Sequence, residues 1–253
     1  MELTFGNVVL ILLTGTAAGF LNVVGGGGSL LSMPMLIFLG LPSALANGTN
    51  RIALMVQNIV AVINFRSKGY FDLKLSLLLG IPALLGSIAG SGLAISLPDE
   101  IFNKILGLIM FVVLFLIIKQ PEKKLVSQDE QEFNPKKRIP AMIAFFFIGM
   151  YGGFMQAGVG FVIIAALTLI TGMSLVKINS VKVFVVGLYM LSSLIVFIAS
   201  GNVNWVLGLT LAVGNSIGAW LGSSFAVSKG DKWIRYILVV TVTIMALKLL
   251  LNF

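Results

Sequence analysis

The stretch "GFLNVVGGGGSLLSMP", Gly19 to Pro34, places four consecutive glycines between two strongly apolar segments. Glycine inside a helix costs roughly 1 kcal/mol relative to alanine, so Gly25–Gly28 predict a break in a hydrophobic helix. Unwound backbone at bilayer depth is stable only where it is buried in protein or lines a watery cavity. The N–H groups that begin the next helix, near Gly28 and Ser29, form the positive end of a helix dipole and favour an anion.

The remainder of the chain is also apolar. Of 253 residues, 58% are hydrophobic and 10% are charged, and the mean hydropathy is +1.06, whereas soluble proteins are about half apolar and a quarter charged. The apolar runs recur along almost the whole length, which predicts repeated crossings of a lipid bilayer. The formal net charge is +8, but the basic residues lie in short loops between apolar runs, so no nucleic-acid partner is expected.

Eight apolar segments are about long enough to span a bilayer: Phe5–Val24, Thr49–Phe65, Leu75–Leu97, Ile101–Ile118, Ile139–Gln156, Val181–Ser200, Trp205–Val227 and Ile234–Phe253. Two shorter runs, Leu30–Leu39 and Val159–Ile170, follow glycine clusters. As helices they would rise only about 15–18 Å, roughly half of the ~30 Å hydrocarbon thickness. The pattern predicts an all-α integral membrane protein.

One polar stretch, "KQPEKKLVSQDEQEFNPKKR" from Lys119 to Arg138, is typical of a solvated linker. It divides the chain into a first membrane repeat (1–118), the linker (119–138) and a second membrane repeat (139–253). The two halves are related, because similar residues recur 132 positions apart, as in Asn47 and Asn179 or Gly86 and Gly218. An offset that persists along each half predicts an internal repeat within one transmembrane bundle.

The loop charges predict the orientation of these repeats. With the linker in the cytoplasm, fourteen Lys and Arg residues lie inside and only Arg51, Lys104 and Lys248 lie outside. Four long helices and one short glycine-broken element give each half an odd number of passes, so the repeats have inverted topology and both termini are external. Inverted repeats are typical of secondary transporters, whose substrate site lies near the midplane.

Polar residues cluster at matching places in "LANGTNR", Leu45 to Arg51, and "VKINSVK", Val176 to Lys182. The small polar residues here can be helix caps, which is their commoner role: Asn47, Thr49, Asn179 and Ser180. Arg51 and Lys182 lie inside apolar runs with no acid nearby in sequence, so an anionic substrate is a suitable partner. For Lys182, extension to the membrane interface is an equally good alternative.

The candidate substrate-binding residues are therefore Asn22, Gly25, Gly26, Gly27, Gly28, Ser29, Asn50, Arg51, Gln156, Gly158, Gly160, Ser180 and Lys182. The chain has no cysteine and no histidine, and all nine acidic residues fall in loops or at segment ends. No catalytic group, metal site or cofactor is expected, and the chain is not predicted to be an enzyme. Coupling to a proton or to a sodium ion stays open, as does homo-oligomerisation.

Three stretches resemble the TauE/SafE family of sulfite exporters and related anion permeases: "GTAAGFLNVVGGGGSLLSMPMLIFLGLP" (Gly15–Pro42), "ANGTNR" (Ala46–Arg51) and "GMYGGFMQAGVGF" (Gly149–Phe161). The resemblance covers almost the whole chain. It implies a multi-pass permease of the cytoplasmic membrane that handles sulfite, sulfonates or other small sulfur-containing anions. The second glycine cluster has only Gly158 and Gly160 and no following proline, so the two half-sites are expected to differ.

Together these features predict a secondary transporter that exports a small sulfur-containing anion by alternating access. Two alternatives remain open at this point. An anion channel can share the same symmetry and charges, and a membrane subunit without transport activity of its own can share the same composition.

Overall fold

The structure is a computed structural model that describes residues 4–98, 100–102, 104–105, 108 and 137–250. Within these ranges the chain is helical and has no β-strand. The helices are α1 (Phe5–Val24), α2 (Ser29–Phe38), α3 (Ser43–Ser67), α4 (Leu73–Ser96), α5 (Arg138–Phe154), α6 (Val159–Thr171), α7 (Leu175–Ala199) and α8 (Trp205–Leu250).

Most of the predicted segments coincide with these helices. The first span and α1 have the same bounds, and the two short runs correspond to α2 and α6 within two residues. However, α3 and α7 each begin six residues before the apolar runs at Thr49 and Val181 do. Their first turns carry polar residues, which lower the local hydropathy without interrupting the helix.

The ends of the two halves are only partly described. Of the predicted segment Ile101–Ile118, residues 101–102, 104–105 and 108 are helical and the others lie outside the described residues, as does the linker up to residue 136. The last two predicted segments both fall in α8, where Gly230 interrupts the helix with φ 71° and ψ −170°. This break lies between the predicted end at Val227 and the predicted start at Ile234.

Side chains just before the starts of four helices provide caps, including Asn204 Oδ1, which accepts from the N–H of Leu207 at the start of α8. The Thr4 hydroxyl accepts from the N–H of Asn7, and the Asp72 carboxylate accepts from the N–H of Leu75 at 3.0 Å. Ser174 has the same role at the start of α7. These groups satisfy N–H donors that have no partner within the first turn.

The two halves pack on each other. Helix α1 lies against α8 and α4 lies against α5, while α3 and α4 both contact α7, and α3 also contacts α8. Small residues allow this close approach: a Cβ atom at Gly19 would overlap the backbone of Asn215, and one at Gly149 would overlap that of Ala83. The core is therefore shared between the halves.

Four of the described helices are long and apolar enough to cross a membrane: Phe5–Val24, Leu73–Ser96, Leu175–Ala199 and Trp205–Ile237. Their outer faces carry exposed large apolar side chains such as Leu13, Leu85 and Ile195, as expected where lipid replaces water. Helix α3 has 25 residues, and its buried polar side chains lower its hydropathy. Of the eight expected spans, the described residues thus support these four by length and hydropathy.

Candidate functional site

The first glycine cluster interrupts the chain between α1 and α2. Helix α1 ends at Val24, Gly26 adopts a left-handed φ of 89°, and α2 begins at Ser29. The N–H groups of Gly25 and Gly26 both donate to the carbonyl of Leu21 at 2.8 Å. The next two N–H groups, of Gly27 and Gly28, are buried and have no acceptor within the described part of the chain. Buried backbone N–H groups are rarely left unpaired in native proteins.

The second break, between Phe154 and Val159, has a similar backbone path. Gln156 follows the end of α5 as Gly26 follows the end of α1, and its φ of 63° is the one left-handed non-glycine φ in the described residues. This conformation costs a side-chain-bearing residue roughly 1–2 kcal/mol. The side-chain oxygen of Gln156 accepts from the Tyr189 hydroxyl at 2.7 Å, which holds the residue in place.

The two breaks touch at Gly26 and Gly160. A Cβ atom on either glycine would overlap the Cα of the other. The unwound segment after α1 therefore meets the first turn of α6, directly after the second break, and each shields the backbone of the other. This is the arrangement in which broken helices are stable at bilayer depth.

Arg51 lies beside the end of α5 and is fully buried. Its Nη1 donates to the carbonyl of Gly152 at 3.3 Å, and its Nη2 donates to the carbonyl of Gly153 at 2.5 Å. Nη2 also donates to Asn47 Oδ1 at 3.0 Å, and Asn47 Nδ2 donates to the carbonyl of Phe154 at 2.9 Å. Arg51 and Asn47, which belong to the first half, thus close the carbonyl end of a helix from the second half.

Lys182 makes the corresponding contact with the end of α1. Its Nζ donates to the carbonyl of Val23 at 2.9 Å and to Asn179 Oδ1 at 2.6 Å. Asn179 Nδ2 donates to the carbonyl of Val24 at 3.1 Å. Because Lys182 is 2% exposed, the alternative that it extends to the membrane interface is wrong.

Neither buried cation has an acid within ion-pair distance among the described residues, whose one ion pair joins Lys104 to Glu100 on the surface. The carbonyl end of a helix carries roughly half a negative charge. The helix ends therefore compensate only part of the positive charge of Arg51 and Lys182. The junction of the two breaks is positively polarised from both sides.

A cluster of neutral amides surrounds the end of α1. Gln57 Oε1 accepts from Asn22 Nδ2 at 3.2 Å and from Asn215 Nδ2 at 3.0 Å. Asn22 Oδ1 accepts from the N–H of Ser29 at 3.2 Å, which caps α2 across the break. Asn22 and Gln156, two of the candidate substrate-binding residues, thus lie beside the first and the second break.

Several buried polar atoms have no hydrogen-bond partner within the described residues: Ser29 Oγ, Ser32 Oγ, Asn50 Nδ2 and Oδ1, Arg51 Nε, Ser76 Oγ, Ser180 Oγ and Asn215 Oδ1. Asn50 is distinctive because both ends of its amide are unpaired at 1% exposure. Ser180 lies seven residues before Gly187, which faces Asn58 of α3, so Ser180 is on the α3 side of α7. The other candidates predicted from sequence lie at the two breaks or at the helix ends beside them.

The alternative that four polar residues act as helix caps is wrong: Asn47, Thr49, Asn179 and Ser180 all lie inside helices. The cap positions of α3 and α7 are Pro42 and Ser174. Sequence reasoning also missed Tyr189, which positions Gln156. The repeat could have identified Tyr189, because it lies 132 residues after Gln57, which binds Asn22 beside the first break.

The described residues contain no group of three or more acidic, histidine or cysteine side chains that could hold a metal ion. The polar groups at the junction are instead hydrogen-bond donors and amides, together with two cations. Chemically this arrangement can bind and release a small anion.

The chain matches the family model described as "Sulfite exporter TauE/SafE" over residues 11–249. It is 30% identical over 234 residues to "Probable membrane transporter protein YfcA" of Escherichia coli, covering 92% of this chain and 86% of that one. It is 26% identical over 249 residues to a "Probable membrane transporter protein" of Haemophilus influenzae, covering 98% and 96% of the two chains. No solved structure matches.

Proposed function

The chain belongs to the sulfite exporter TauE/SafE family of membrane transporters, and on this basis we propose that it exports a small sulfur-containing anion, such as sulfite or an organosulfonate. It does so as a secondary transporter of the cytoplasmic membrane. The observation that carries the proposal is the junction of two broken helices, where, among the described residues, buried N–H groups have no acceptor and two cations have no acidic partner.

The anion is bound mainly by hydrogen bonds from the first break. The N–H groups of Gly27 and Gly28 and the hydroxyl of Ser29 are free to donate. Within the part of the chain that the structure describes, the N–H groups of Gly158 and Gly160 have no backbone acceptor either, and they complete the site from the second break. Donors at the start of a helix are stabilised by its dipole when they bind an anion.

Arg51 and Lys182 act on the anion through their electric field. Arg51 Nη1 and Nη2 and Lys182 Nζ already donate to helix-end carbonyls, so these atoms are not required to contact the substrate directly. In a water-poor interior, charge acts over longer distances than at the surface. The two cations lower the cost of removing an anion from water while the backbone donors hold it.

The halves are proposed to be inverted repeats that rock against each other in alternating access. Three pairs of equivalent contacts support this, because in each pair an element of one half contacts the other half in the same way as its counterpart does. Helix α1 packs on α8 as α5 packs on α4; Asn47 binds the end of α5 as Asn179 binds the end of α1; and Gly15 meets Asn215 as Gly149 meets Ala83. Together with the loop charges, these equivalent contacts support the proposal that the linker is cytoplasmic and both termini are external.

Efflux from proteoliposomes tests the proposal. Purified protein is reconstituted with internal sulfite, and taurine, sulfoacetate, sulfate and thiosulfate are added as competitors. The proposal requires efflux that saturates, shows counterflow and is blocked by one of the competitors. If folded protein gives no flux above that of empty liposomes, the proposal that the protein transports these anions is refuted. Flux that does not saturate would identify a channel instead of a carrier.

A matched pair of lysine variants separates the site from general surface charge. Lys182→Gln removes a buried cation at the junction, while Lys104→Gln removes an exposed cation that pairs with Glu100. We expect the first to raise the KM for the anion at least tenfold and the second to leave it unchanged. Equal effects of the two variants would show that the buried charge has no special role.

A further inference from the structure

We propose that Asn50 selects the substrate, and that the preferred anion carries a hydrogen-bond donor in addition to its anionic oxygens. This inference rests on the proposed function and makes it more specific. Preferred substrates would be monoanions with an O–H or N–H group, such as a singly protonated oxyanion or a hydroxylated or amino sulfonate.

The position of Asn50 follows from two contacts on the same helix. Asn47, three residues earlier, binds the end of α5 just before the second break. Gln57, seven residues later, binds Asn22 just before the first break. With 3.6 residues per turn, Asn50 lies within about 60° of Asn47 and about 20° of Gln57 around the axis of α3. It therefore faces the region where the two breaks meet.

The amide of Asn50 is unpaired at both ends. Neither Nδ2 nor Oδ1 has a partner within the described residues, and the side chain is 1% exposed. Buried polar side chains are normally hydrogen-bonded, and an exception calls for an explanation such as a ligand. Ser29, the first residue of α2, is a second such exception, since its hydroxyl is unpaired at the same exposure.

The two ends of an amide require different partners. Nδ2 donates two hydrogen bonds and suits an anionic oxygen, whereas Oδ1 can only accept. A fully deprotonated oxyanion has no donor, so it would leave Oδ1 unpaired and facing negative charge. A substrate with one O–H or N–H group satisfies both ends at once. Sites built to hydrogen-bond a hydroxyl reject analogues that lack it, because the buried partner is then left unpaired.

The charge at the junction supports the same class of substrate. Arg51 and Lys182 each contact the carbonyl end of a helix, which offsets part of their positive charge, so the junction suits an anion of low charge. The residue 132 positions after Asn50 is Lys182, whose amine is occupied by carbonyls. Asn50 is therefore the residue that distinguishes between substrates. The two half-sites are not equivalent, because the second half has a lysine at the matching position.

Two sulfonates that differ by one hydroxyl test this inference. Ethanesulfonate and 2-hydroxyethanesulfonate carry the same charge, but only the second has an O–H donor. Each is used to compete for sulfite efflux from proteoliposomes, and binding of each to the purified protein is measured by calorimetry. We expect the wild-type protein to prefer the hydroxylated anion by roughly tenfold or more, the effect of one hydrogen bond to a buried group.

The variant Asn50→Leu keeps the size of the side chain and removes both polar atoms, so the two sulfonates should then bind equally. The matched control is Asn58→Leu on the same helix, because Asn58 Nδ2 is already paired, donating to the carbonyl of Leu54 at 2.7 Å. This control should keep the wild-type preference. Asn50→Ala serves in the same way if the leucine variant does not fold.

The outcomes separate the two proposals. Equal affinity of the wild-type protein for both sulfonates, with saturable sulfite efflux intact, would overturn the role of Asn50 and leave the transporter in place. A preference that persists in Asn50→Leu would also overturn it. Absence of binding and flux for all three anions would overturn the proposed function, and this inference with it.

Discussion

Substitution of alanine for Gly26 should destabilise the protein through two separate effects. At Gly26 the backbone has a φ of 89° and a new Cβ would lie 2.8 Å from the N atom of Phe161, besides overlapping Gly160. The left-handed conformation costs alanine about 1–2 kcal/mol. Forcing an extra carbon into a filled interior typically costs about 1–3 kcal/mol more. The expected loss for Gly26→Ala is therefore about 2–5 kcal/mol.

Three other glycines isolate these effects. Gly69 has a φ of 78° and no atom within 4 Å of a new Cβ, so Gly69→Ala should lose only the conformational part, about 1–2 kcal/mol. Gly160 has the contact with Gly26 without a left-handed φ, so Gly160→Ala should show only the packing part. Gly92 lies in α4 with open space around it, and Gly92→Ala should stabilise the protein by up to about 1 kcal/mol.

Thermal unfolding of the four variants in detergent, followed by tryptophan fluorescence, measures the order. A chain of this size changes its melting temperature by about 2–4 °C per kcal/mol, so Gly26→Ala should melt roughly 4–20 °C below the wild type. The order from highest to lowest should be Gly92→Ala, wild type, Gly69→Ala and Gly26→Ala, with Gly160→Ala between the wild type and Gly26→Ala. If Gly26→Ala melted no lower than Gly69→Ala, the two broken helices would not cross at this residue.

Three further predictions concern charge, satisfaction of polar groups and topology. Asn50→Leu should raise the free energy of unfolding without anion by about 1–3 kcal/mol, because it removes an unpaired buried amide; a lower melting temperature would contradict this. Arg51→Gln should raise the KM for the anion at least tenfold, whereas Arg51→Lys, which keeps the charge, should raise it less. Equal effects of the two variants would argue that the positive charge at residue 51 does not stabilise the bound anion. Because the chain has no cysteine, Lys68→Cys and Ser200→Cys can be labelled individually in intact cells, and only Ser200→Cys should react with an impermeant maleimide; labelling of both would contradict the inverted repeat.

Much of the fold was predictable because hydropathy and glycine act locally. The bounds of α1 and the positions of α2 and α6 follow directly from apolar runs and glycine clusters. The family was also predictable, since the glycine motif and the segment ending at Arg51 identified the TauE/SafE resemblance that the family model confirms. The starts of α3 and α7 were missed because buried polar side chains there resemble the end of an apolar span.

The contacts of the candidate site were less accessible to sequence reasoning. Asn47 and Phe154 are 107 residues apart, and Lys182 and Val23 are 159 apart, so no local pattern connects them. The sequence indicated that Arg51 and Lys182 needed a negative partner and favoured the substrate. A helix carbonyl end is a second source of negative charge, and its position depends on the packing of the two halves.

The exchange of partners between the halves has a consequence for biogenesis. When α1 leaves the ribosome, the groups that will cover its last carbonyls, on Asn179 and Lys182, have not yet been synthesised. The first break must therefore remain incompletely hydrogen-bonded until α7 enters the membrane about 155 residues later. During this interval the nascent first half would be a natural client for insertion factors that shield polar backbone from lipid, and the two halves expressed as separate chains should be stable only when both are made together.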